Sequence, residues 1–204
     1  MLGRHESETR GDKHAWDDSG QLFHLLEDAR AEYDRALGKQ PRPLVSAAAP
    51  SSTGGRPGWR TLAYREGRFV IDFPDAPTVV EGRYDLGGGM TAPARTYAVE
   101  QNKVVYRLTV ADLSGRAIDR QAVIRGAVDR LTRSGVTRIY AEARVRTAYG
   151  RQVSVERPGD ARAIGSVFLA AGRLFELEAV APAPQVRNAG GAMIRFQQSL
   201  DIWR

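Results

Sequence analysis

The chain has 204 residues, no cysteine, a formal net charge of +6 and a hydrophobic share of 42%. That size allows one domain with an appendage or two small domains, and the missing cysteine excludes disulfides, thiol catalysis and cysteine-based metal sites. The charge is uneven: residues 1–58 carry 8 Lys+Arg against 9 Asp+Glu, and residues 59–204 carry 22 against 15. A basic balance favours an acidic protein partner, nucleic acid or an anionic membrane surface, and it also simply keeps a protein soluble.

The start, MLGRHESETRGDKHAWDD, is polar and lacks the apolar core of a secretory signal. No apolar run approaches the roughly 20 residues of a membrane span. A cytoplasmic location, or a peripheral one on a membrane complex, is expected. Residues 1–15 show no periodicity and are expected to be disordered unless a partner holds them. Asp17, Asp18 or Ser19 can cap a helix that runs to about Leu37. Leu22, Phe23, Leu26, Ala29, Tyr33 and Leu37 recur at helical steps and form an apolar stripe. A helix of about five turns is marginal alone, so the stripe needs its own domain, another protein or a second copy against it. Leu22, Phe23, Leu26, Tyr33 and Leu37 are the candidate partner-docking residues. Acids balance bases on the polar side, which argues against a basic membrane-surface helix. Residues 38–58, with PRPLVSAAAPSSTGG, read as a Pro/Ala/Ser/Gly linker. The expected organisation is therefore 1–37 as a disordered start plus docking helix, 38–58 as linker and 59–204 as an α+β domain.

That domain opens with WRTLAYREGRFVIDFPDAP, Trp59 to Pro77. Two runs rich in aromatic and β-branched residues flank Glu66-Gly67, the pattern of a hairpin. Phe69, Ile71 and Phe73 share one apolar side, and Pro74 stops the strand. Thr78 to Val80 is a short strand candidate, and Arg83 to Met90 reads as a flexible connection. Its consecutive glycines lead into a strand pattern, not a helix, which argues against a phosphate loop. Strands follow at Arg95–Glu100 and Lys103–Asp112 around a Gln101-Asn102 turn, with Val104, Tyr106, Leu108 and Val110 facing the core. A helix from about Ile118 to Arg133 buries Val123, Ile124, Ala127, Val128 and Leu131. Val136–Val145 and Gln152–Glu156 alternate as strands around a turn at Ala148–Gly150. Arg162–Ala170 and Arg173–Val180 form a hairpin around Ala171-Gly172, with Phe175, Leu177 and Ala179 inward and Glu176 and Glu178 outward. Asn188 starts a last helix with Ala192, Met193, Phe196, Ser199 and Leu200, and Trp203 packs against the domain.

Chemistry-bearing residues are sparse. His5, His14 and His24 all precede the domain and lack zinc spacing. The domain therefore holds no Ser–His–Asp set, and Lys103 is its one lysine. Asp72/Asp75 and Glu176/Glu178 are carboxylate pairs, with nothing to select either as a hydrolase pair. Arg144, Arg146 and Arg151 form a basic run that can meet an anionic partner or pair with Glu142, Glu156 and Glu178 across strands. No aromatic residues interleave with the helix arginines, and no nucleic-acid module is recognisable, which argues against nucleic acid. No cofactor or metal is expected.

RFVIDFPDAP, YRLTVADL, a helix, GRQVSVERPG, GRLFELEAV and a closing helix with FQQSLDIW follow in that order. Over residues 60–204 this order resembles small domains of the PsbP/Mog1-like α/β/α sandwich type. The resemblance implies an antiparallel β-sheet flanked by helices. It also implies a non-enzymatic accessory or binding protein; members attach to photosynthetic membrane complexes or bind a small GTPase. No family site transfers residue by residue. The expected function is a non-catalytic accessory or assembly subunit that docks on a larger protein complex, with association with its own copy a second use of the stripe. The alternatives are a module for an anionic ligand or nucleic acid, and an unrecognised small hydrolase.

Overall fold

The computed structural model describes residues 58–203. The expected arm helix, with Leu22, Phe23, Leu26, Tyr33 and Leu37, lies outside the described residues. Ten strands and two α-helices follow in the order β1 (Arg60–Tyr64), β2 (Phe69–Phe73), β3 (Thr78–Gly87), β4 (Met90–Gln101), β5 (Val104–Asp112), α1 (Arg120–Thr132), β6 (Val136–Val145), β7 (Ala148–Arg157), β8 (Ala161–Ala170), β9 (Arg173–Ala181), α2 (Val186–Gln198) and β10 (Asp201–Ile202). The class is α+β. A three-stranded sheet has the order β1-β2-β10, and a seven-stranded sheet has the order β3-β4-β5-β9-β8-β7-β6. All their pairings are antiparallel. Among the described residues no helix is long and apolar enough to cross a membrane.

The opening hairpin forms as its alternation predicts. Phe69, Ile71 and Phe73 are buried, and Arg68, at φ 54°, takes the left-handed turn position. A two-residue strand missed in the sequence, β10, pairs with the other edge of β2. The backbone N–H of Trp203 donates to Arg68 O at 3.0 Å just beyond it.

Three turns fall elsewhere than expected. Arg83–Asp85 continue β3, paired with Thr91–Pro93, so the expected loop shrinks to the glycines. Gly87, Gly88 and Gly89 all have positive φ, where a side chain would be strained. Pro93 is tolerated because β4 there has run past the β5 ladder, which ends at Ala94–Ala111. The next turn is Asn102-Lys103, one residue on, and both have positive φ as a type I′ hairpin requires. The β6–β7 turn is Arg146-Thr147, not Ala148–Gly150, and Ala148–Gly150 join β7. Ala171-Gly172 turns as expected.

The centre of the large sheet is buried on both faces. On one, Tyr97, Tyr106, Leu108, Phe175 and Leu177 pack with Phe69, Ile71 and Phe73 of the small sheet and with Met193 and Phe196 of α2. On the other, Val123, Ala127, Val128 and Leu131 of α1 pack with Val153, Val155, Ala163 and Val167. Asp119 caps α1, its Oδ1 accepting from the N–H groups of Gln121 at 2.9 Å and Ala122 at 3.2 Å. Helix α1 comes so near β8 that a Cβ on Gly165 would lie 2.8 Å from Leu131 Cδ1. Helix α2 begins two residues before Asn188, after a short 3-10 turn at Ala183–Gln185.

Candidate functional site

Glu176 and Glu178 do not face water. Alternation along β9 puts them opposite Phe175 and Leu177, on the face that α1 covers. Glu178 is 9% exposed. Its two carboxylate oxygens accept from Arg107 of β5 at 3.1 Å and from Arg157 at the end of β7. Glu176 accepts from the hydroxyl of Tyr84, and Arg130 of α1 donates to that same hydroxyl. Arg130 also lies 3.5 Å from Glu176 Oε2. Burial raises the Glu176 carboxyl above the usual glutamate range, against the lowering effect of its Tyr84 hydrogen bond and of Arg130. Burial first, and the Glu176 charge second, push the Tyr84 phenol up. The network ties β3, β9 and α1 together.

The other carboxylate pair does not converge either. Asp72 is 3% exposed. It accepts from Thr61 Oγ1 at 2.6 Å and lies 3.6 Å from Arg195. Asp75 pairs with Arg60 at 3.3 Å. Among the described residues no group of three or more His, Cys, Asp or Glu is placed to hold a metal ion.

A groove of about 560 Å³ runs between the β1–β2 turn and the β3–β4–β5 strands. Tyr64, Phe69 and Tyr97 line its apolar side, and Glu66, Glu81, Arg95, Asp112 and Arg173 its charged side. Arg95 spans 3.0 Å to Glu81 and 3.7 Å to Glu66. Burial pushes the Tyr64 phenol up to about 12, with Tyr97 adding to it. Both phenols are thus neutral donors near pH 7, beside an arginine already held by two carboxylates.

The three arginines of the expected anionic-partner patch cluster at the β6–β7 hairpin. Arg146 forks onto Asp201 at 2.5 and 2.7 Å. Arg151 pairs with Glu142 at 3.0 Å. Arg144 lies 4.6 Å above the Tyr149 ring and donates to Arg146 O at 3.0 Å. Arg138 and Arg157 likewise meet Glu156 and Glu178.

The exposed apolar side chains have a clear distribution. Of eight large ones among the described residues, Val79, Val80 and Met90 lie on the β3–β4 hairpin, and Val136, Ile139, Tyr140 and Tyr149 on β6–β7. Only Ile194 lies elsewhere. Five of the eight thus sit on the edge strands β3 and β6 of the large sheet, and Met90 and Tyr149 on the strands beside them. The sequence carried one signal of this. Val79-Val80 and Ile139-Tyr140 place apolar residues on both sides of a strand, which one buried face does not require.

No family model matches the chain, and no curated protein does. The solution structure of cyanobacterial PsbP (CyanoP) from Synechocystis sp. PCC 6803 is similar, with a TM-score of 0.50 and 7% identity, over 78% of this chain and 100% of that one. A protein of unknown function from Pseudomonas aeruginosa aligns with a TM-score of 0.40 and 12% identity, over 72% of this chain and 98% of that one. At such identities the likeness to CyanoP is one of fold: the chain has a PsbP-like fold.

Proposed function

We propose that this protein is a non-catalytic accessory or assembly subunit, an α/β/α sandwich of the PsbP/Mog1-like type that docks on a larger protein complex. The observation that carries the reading is the concentration of exposed apolar side chains at the two sheet edges. Exposed apolar groups beside free strand edges are the means by which one protein adds to another. The pairing of Glu178 with two arginines, and of Glu176 with Tyr84 and Arg130, supports a structural use of these carboxylates. The likeness to cyanobacterial PsbP supports an accessory role and suggests a photosynthetic complex as one setting. The apolar stripe Leu22, Phe23, Leu26, Tyr33 and Leu37 is the second contact in this reading, with the linker letting it reach the complex.

Deleting residues 1–40 tests the tether. Co-purification of the complex with the tagged protein is expected to be lost while the thermal melt of the domain stays unchanged. Undiminished recovery of the same partners would remove the arm from the account.

A further inference from the structure

We propose that β6 is a self-pairing edge: it adds antiparallel to β6 of a second copy, with Ala143 opposite Ala143 of that copy. This stands independently of the docking reading and leaves the β3–β4 edge to a foreign partner. Among the described residues strand β6 ends the seven-stranded sheet and is bonded to β7 alone. Among the described residues no further backbone hydrogen bond reaches it. Long free edges of this kind are templates for another strand.

The pairing window follows from the ladder. Arg138 is skipped in the β6–β7 register, between Thr137 and Ile139, and this bulge disfavours further pairing at that end. The strand is regular from Ile139 to Val145. Val145 faces Ala148 across the two-residue turn, and such a turn is closed by a hydrogen-bonded pair. Bonded and non-bonded pairs alternate, so Ala141 and Ala143 direct their backbone groups to β7. Tyr140, Glu142 and Arg144 direct theirs to the free edge.

Charge then selects the register. Centring the twofold on Glu142 sets Glu142 against itself, and centring it on Arg144 sets Arg144 against itself; like charges directly opposite are destabilising. Centring on Ala141 sets Arg144 against the bulged Arg138. Centring on Ala143 sets Glu142 opposite Arg144 of the second copy, twice by symmetry, in positions whose backbone groups point to the edge. The Glu142 side chain is 76% exposed and rests 3.0 Å from Arg151, so it would sit between two arginines. Tyr140, 59% exposed, would come opposite Arg146.

Sedimentation of the full chain over a dilution series at low salt tests this. A dimer is expected. Glu142→Lys and Arg144→Glu should each weaken it by about tenfold, and the double reversal E142K/R144E should restore it. Because the chain has no cysteine, Ala143→Cys gives a second readout that needs no change of charge. The opposed residues would lie about 4.5 Å apart at Cα as a non-bonded pair, within disulfide reach. Mild oxidation should cross-link Ala143→Cys and leave Ala141→Cys without a covalent cross-link. A wild-type chain that is monomeric at every concentration, folded single reversals that dimerise normally, or cross-linking no faster at 143 than at 141 would each overturn the proposal.

Discussion

Glu176 shows how one buried side chain couples the fold to pH. Burial holds its carboxyl above the usual glutamate range in the folded protein. The folded state therefore binds its proton more tightly than the unfolded chain does. The stability this contributes is fully present below the ordinary range and is lost as pH rises through the raised folded value. Asp112 acts the opposite way: hydrogen bonds from Ser114 lower it, and its contribution is lost as pH falls. Comparing wild type with Glu176→Gln by urea unfolding across a pH series separates the two. The difference in stability, wild type minus variant, is expected to fall as pH rises from the glutamate range upward. A difference independent of pH would contradict the burial argument. The sequence did not disclose this group's setting. Alternation along β9 correctly placed Glu176 and Glu178 opposite Phe175 and Leu177. It cannot say whether the opposite face is bare or covered, because the cover is α1, which lies more than forty residues earlier in the chain.

Among the elements, the hairpins were the most legible, because a period of two and a turn pair are local signals. Phe69, Ile71 and Phe73, the buried row of β5 and the Ala171-Gly172 turn are all where the residue pattern puts them. The misplaced turns have physical reasons. Glycine drew the expectation to Ala148–Gly150, yet Gly150 lies within β7 as a packing position. A Cβ there would come 2.0 Å from Val167 O and 2.6 Å from the ring of Phe168 on β8. Gly150→Ala is therefore expected to force β7 from β8 and to cost about 1–3 kcal/mol, read as a lower midpoint in chemical denaturation. An unchanged midpoint would show that the strands part without strain. The three glycines at 87–89 made Arg83–Asp85 look like loop, although their cross-strand partners Thr91–Pro93 extend the ladder. Strand β10 is too short, at two residues, to carry a periodic signal.

At the scale of the whole molecule, sheet order decides what is exposed. β6 becomes an edge only because β9 and β8 insert between β5 and β7, a non-local choice that no stretch of sequence states. The arginines illustrate the same limit. Arg151 pairs with Glu142, one of the cross-strand partners its position in the sequence offers, but Arg146 meets Asp201 of β10, which no neighbouring stretch supplies. The candidate surface was thus legible in its residue types and not in its location. The central claim is that a sheet edge meets a foreign protein. Its most direct test places a photo-crosslinking residue at Val80, 63% exposed on the β3 edge, in the native host, with Arg125 on α1 as the exposed control. Position 80 is expected to yield one discrete foreign adduct that position 125 does not. The same adducts from both positions, or none from position 80 while the protein is folded, would contradict it.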